Sequence, residues 1–208
     1  DHRDLHSFPT RRSSDLTQHV LKLARQPGIH VVSSLEVEAI EQAFRMVRAK
    51  RQFEETRLLV LKGNERKETV LERLGTKVRY IPRDTLHELF NRMPLTDEAR
   101  EIAATAKNNA EKVVEPSAED LHNAARAFMT ARRLIRDEGA NAITSDCLGM
   151  VSSRVVPPPP CMAVSMFQDH GVTYGCAADV FGAMSLMLSS YLLDKPGFMN
   201  DPVPETVK

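Results

Sequence analysis

The chain has 208 residues, 42% of them hydrophobic and 27% charged, with 28 basic side chains against 28 acidic ones and a formal net charge of +0. This is the composition of a globular domain or two. The even balance offers neither the basic footprint of a nucleic-acid binder nor a charge run for a membrane surface, and no apolar run approaches the roughly 18 residues that a membrane span needs.

The first sixteen residues, DHRDLHSFPTRRSSDL, lack apolar periodicity and the apolar stretch of a secretory signal. They resemble a translated sequencing adapter and are expected to be disordered and foreign to the fold, so His2 and His6 are not counted as ligands. The short β-branched run at 29–33 predicts a strand. Leu35, Val37, Ile40, Phe44 and Val47 then recur at helical spacing, predicting a helix over 35–53 with Ser34 at its start and those residues on its core face. RLLVLKG at 57–63 reads as a buried strand, 65–74 as a helix, 77–81 as a strand and 83–92 as a helix.

Pro94 ends that run. Thr96 is placed to cap a helix over 96–114, with Asp97 and Glu98 in the first turn where the helix dipole favours acids. Ser117 and Asp120 have capping-box spacing at the start of a helix over 118–138, which Gly139 stops. A strand over 141–147 follows, then a loop with four consecutive prolines at 157–160, a helix at 161–169, a strand at 172–175 and an almost uniformly apolar helix at 180–193 that should be buried. Strands alternating with helices predict an α/β protein with parallel sheets. The expected organisation is two Rossmann-like units linked by the long helices: a partial first domain over 17–115 and a second over 116–208.

There is no glycine-rich dinucleotide fingerprint, P-loop, nucleophile elbow or HExxH. GNERKE at 63–68 has too few glycines for a phosphate loop. The three cysteines, Cys147, Cys161 and Cys176, are odd in number and widely spaced, which argues against a disulfide framework or a zinc site; they read as reduced, buried, small hydrophobes of a cytoplasmic protein. One constellation stands out. Asp146 ends one strand, the turn 176–179 ends the next, and Asp201 follows the last helix; adjacent parallel strand ends would bring such acids to one pocket. Oxygen ligands of this kind suit Mg²⁺ or Mn²⁺. Each acid also has a plain structural reading: Asp179 as a helix N-cap, Asp146 as an acceptor of backbone N–H groups, Asp201 as a turn residue before Pro202, and His170 as a surface turn residue.

The blocks ITSDCLGM (143–150), PPCMAVSMFQDHG (159–171), CAADVFGAMSLMLSSYLL (176–193) and KPGFMNDP (195–202) together resemble the L-fucose isomerase family, which is related to L-arabinose isomerase. The resemblance implies a middle segment, over about 29–202, of a protein that interconverts an aldose and its ketose with Mn²⁺ or a similar divalent ion, working on a small sugar as a homo-oligomer. It implies a metal held by a Glu in the strand–helix turn, an Asp after the following helix and a His in a C-terminal domain. The family's turn reads Cys-Glu-x-Asp; here it reads Cys176-Ala177-Ala178-Asp179. The metal-binding Glu position is therefore Ala177, the Asp is retained as Asp201, and the His has no counterpart before Lys208. Asp201 is the expected metal ligand, Asp201 and Asp146 the expected catalytic acids, and an isomerase inactive as it stands is the expectation, since a lone carboxylate holds Mn²⁺ poorly. A non-catalytic sugar-binding or oligomer-forming homologue is the alternative.

Overall fold

The computed structural model describes residues 36–152 and 160–200, with scattered residues between 20 and 34. The chain divides at Phe44 and Arg45 into two units. What is described of the first is chiefly the opening of helix α1 (Val37–Glu55). The second holds the rest of α1 and everything after it: β1 (Arg57–Leu61), β2 (Lys67–Leu71), β3 (Thr76–Ile81), α2 (Asp84–Arg92), α3 (Asp97–Asn109), α4 (Ala118–Asp137), β4 (Ala142–Ser145), α5 (Cys147–Ser152), α6 (Cys161–Asp169), β5 (Thr173–Gly175) and α7 (Val180–Leu193).

The protein is α/β. Among the described residues five strands form one sheet in the order β2-β3-β1-β4-β5, parallel except for the antiparallel edge strand β2. The strands expected in two separate sheets are thus joined, because β1 pairs directly with β4, Leu61 opposite Ser145. The sequence of β1 explains why it can sit in the middle. RLLVL has no polar alternation, as a strand covered on both faces requires. Leu59 and Leu61 pack with Ile81, Ile143 and Tyr174 against α2, α4 and α6. Leu58 and Val60 pack with Val78 and Ala142 against Phe53 of α1 and Met184 and Met187 of α7.

Local capping behaves as read. Thr96 Oγ1 accepts from Ala99 N at 3.2 Å, and Ser117 with Asp120 forms a complete capping box. Three elements differ from expectation. The helix expected over 65–74 is the hairpin strand β2, followed by a turn at 72–75 in which Gly75 takes φ +70. Its Glu, Lys and Arg residues favour a helix, but they also suit an exposed edge strand, where charge discourages pairing with another chain. The stretch after β4, read as loop, opens with the short helix α5. In α1 the apolar series Val37, Ile40, Phe44 and Val47 is exposed, and the buried residues are Ala49 and Phe53. The packing that holds α1 comes from its last turns: Phe53 meets Tyr191 edge-on at 5.1 Å and Arg48 pairs with Asp194 at 2.8 Å. Helix α7 likewise buries only part of its apolar surface, leaving Phe181, Leu188 and Leu193 exposed. The strand expected at 29–33 and the proline run lie largely outside the described residues. Among the described residues no helix is long and apolar enough to cross a membrane.

Candidate functional site

Parallel strands ending side by side make a shelf at their carboxyl edge. Here the shelf is built by Lys62 after β1, Arg83 after β3, Asp146 and Cys147 after β4, and the turn Cys176–Asp179 after β5. The pairing of Thr144 with Gly175 sets the last two level. Two bonds strap the β5 turn to β4: Ala178 N donates to Ser145 O at 2.8 Å, and Thr144 Oγ1 donates to Cys176 O at 3.3 Å. Gly175 lets α7 come close, because a Cβ there would stand 2.9 Å from Ala183 Cβ.

The turn itself is strained. Ala177 and Ala178 have φ +55 and +51, a left-handed conformation that an L side chain enters at a cost of about 1–2 kcal/mol. Ala177 is half-buried, and its methyl side chain offers no ligand atom. Asp179 stands at the N-cap position of α7, but its carboxylate makes no capping hydrogen bond, contrary to the simple cap reading. It is exposed, with its carboxylate beside Gly182.

Asp146 is employed otherwise than as a free acid. Its Oδ1 accepts from Gly149 N at 3.1 Å, its Oδ2 lies 3.6 Å from Arg83 Nη1, and its side chain is 30% exposed. The carboxylate caps α5 and forms a long ion pair, which is its backbone-acceptor reading with Arg83 added. Asp201 lies outside the described residues. His170 ends α6 on the surface, with its Nδ1 2.6 Å from Met166 O, as a turn residue would. Among the described residues no group of three His, Cys, Asp or Glu side chains is placed to hold a metal ion.

The thiols are the groups that sequence reasoning passed over. None of the three is in a disulfide; Cys161 is exposed, while Cys147 and Cys176 are half-buried. Cys147 is held well below an ordinary thiol, at about 6. A hydrogen bond with the Cys176 thiol is the main cause, and the backbone N–H groups of Ala177, Leu148 and Cys147 add to it against the opposing effect of burial. Cys161 is pushed up instead, by burial and by the charge on Cys147. Beneath them Tyr174 and Ser145 share a buried hydrogen bond at 3.0 Å; burial pushes the Tyr174 phenol up although that bond opposes the rise. The signal in the sequence was positional: Cys147 comes two residues after the end of β4, and Cys176 directly after the end of the neighbouring β5.

Next to this cluster lies a cleft of about 510 Å³ between α6 and the segment after α7, lined by Cys161, Ser165, Gln168, Asp169, Cys176 and Met199 among others. Its size is that of a small-molecule site, and its polar groups come from the exposed face of α6. Compared with known protein families, the sequence matches none, and no curated protein matches it.

Proposed function

We propose that the chain is the α/β part of an L-fucose isomerase-like protein of carbohydrate metabolism in which the metal-binding acid of the strand–helix turn has been lost. On this reading it binds a small sugar in the cleft beside α6 and does not interconvert aldose and ketose as it stands. The observation that carries the reading is the turn at Ala177 and Ala178. Strained backbone persists where the surroundings over-determine it, and it concentrates at functional sites. Here two left-handed alanines follow one another at the carboxyl edge of the sheet, and neither side chain carries a functional group. Asp146, the other candidate acid, is already partnered on both oxygens, by Gly149 N and more distantly by Arg83.

The test is calorimetric titration of the chain, and of its Ala177→Glu variant, with L-fucose and with Mn²⁺, alongside an assay for ketose. The expected result is sugar binding by both proteins, a gain of Mn²⁺ binding in the variant, and no ketose from the parent chain. Ketose formation by the parent with Mn²⁺ would overturn the loss of chemistry; absence of sugar binding in both would overturn the sugar reading.

Homo-oligomer formation is a second proposal, favoured by Phe181 and Phe198, which are 79% and 89% exposed beside this shelf. Sedimentation at several concentrations checks it. A cytoplasmic location is in keeping with three thiols outside any disulfide.

A further inference from the structure

We propose that Cys147 and Cys176 are a dithiol modification site that peroxide converts to a disulfide, independent of the sugar chemistry. The two residues are far apart in sequence but are held together by backbone, not by chance side-chain rotamers. Cys147 begins α5 one residue after Asp146, whose own N–H donates to Leu61 O at 3.1 Å, and Cys176 follows β5 directly. The straps from Ala178 N to Ser145 O and from Thr144 Oγ1 to Cys176 O hold the two loops against each other. The Cys176 thiol is the main influence that holds the Cys147 thiol low, and the amide N–H groups of Ala177 and Leu148 add to it. Those donors stabilise a thiolate, the form that attacks an oxidant. Cys176 lines the cleft, so a molecule as small as a peroxide has a route to the pair.

The reaction balances with one peroxide. The Cys147 thiolate attacks a peroxide oxygen, the O–O bond breaks, and the leaving hydroxide takes a proton to become water; Cys147 is then a sulfenic acid. The sulfur of Cys176 attacks it, the S–S bond forms, the S–O bond breaks, and the departing oxygen leaves as a second water with the Cys176 proton. Two thiols lose two electrons, and peroxide is reduced to two waters. Cys161 is the exposed thiol and would be the first target of indiscriminate oxidation, but its raised pKa leaves it protonated near neutrality, so the order of reaction separates the two cases.

The experiment treats the whole chain with one equivalent of hydrogen peroxide near neutral pH, counts free thiols, and maps peptides by mass spectrometry without reduction. The expected product has lost two hydrogens, contains a Cys147–Cys176 cross-link and one free thiol at Cys161, and returns to the starting mass with dithiothreitol. The Cys161→Ser protein should form the same cross-link at the same rate. Oxidation first at Cys161, a cross-link that includes Cys161, or Cys147 driven to sulfinic acid while Cys176 stays reduced would each overturn the proposal. These readouts come from the parent chain and Cys161→Ser, so they stand even if Cys147→Ser or Cys176→Ser fails to fold.

Discussion

Replacing Ala177 by glycine should stabilise the protein, although glycine is ordinarily the poorer choice. Ala177 holds φ +55, where its Cβ costs about 1–2 kcal/mol that glycine does not incur. Against this, glycine gives the unfolded chain more freedom, worth about 0.4–1 kcal/mol. Ala177 is only half-buried and belongs to neither face of the core, so little packing is lost. The net gain is about 0.5–1 kcal/mol, which for a chain of this size corresponds to a rise in Tm of roughly 1–4 °C. Ala178 is the internal control. Its φ is +51, but it is 5% exposed and its methyl packs in the cluster with Met184 and Met187, so relief of strain and loss of packing offset each other and Ala178→Gly should be close to neutral. Thermal and urea unfolding of the three proteins measures both changes. A drop in stability for Ala177→Gly as large as that of an ordinary Ala→Gly change would refute the argument, because it would mean that the turn carries no left-handed strain at that residue.

Three further outcomes can be checked directly. Glu138 joins Arg66, just before β2, and Arg79 of β3 to the end of α4, accepting from them at 2.7 Å and 3.4 Å; burial raises its pKa, but these two partners outweigh it and hold the carboxyl below its ordinary 4.5. The native carboxyl therefore binds its proton less readily than the unfolded one, and its contribution is complete above pH 4.5 and lost as the pH falls through the native value. Glu138→Gln should cost about 1 kcal/mol at neutral pH, a modest figure because Arg66 is half-exposed, and should flatten the loss of stability on acidification, as followed by urea unfolding at stepped pH. Arg126 donates to Met93 O at 2.9 Å and Phe90 O at 3.0 Å at the end of α2 and lies 4.4 Å from the Phe90 ring centroid, so Arg126→Ala should cost about 2–3 kcal/mol in the same assay, more than Arg126→Lys. Alkylation of Cys147 by iodoacetamide should reach half its limiting rate near pH 6, with Cys176, Asp146, Arg83, Tyr174 and Cys161 as the ionisable groups around it; alkylation of Cys161 should still be rising above pH 9. Quench-and-map kinetics separate the two sites.

Much of this molecule is legible as a string, and the legible parts share one property: the signal is local. The caps at Thr96 and Ser117 are written within three residues of the donors they satisfy. The apolar run of β1 announces a strand covered on both sides, and the alternation of strands and helices announces an α/β sheet. The tertiary structure decided what depends on neighbours distant in the chain. Residues 65–74 have helical propensity, but β3 beside them offers an edge whose backbone groups need partners, and pairing wins over propensity. The apolar spacing in α1 predicts a helix but not its buried face: Val37, Ile40, Phe44 and Val47 are exposed, and among the described residues the helix packs through Phe53 against Tyr191. Asp146 looks like a free strand-end acid until Arg83 and Gly149 are seen to hold it. The same holds for the thiols: each alone is a small apolar residue, and only the register of β4 against β5 turns two of them into a reactive pair, because thiol acidity depends on which donors stand within hydrogen-bond reach.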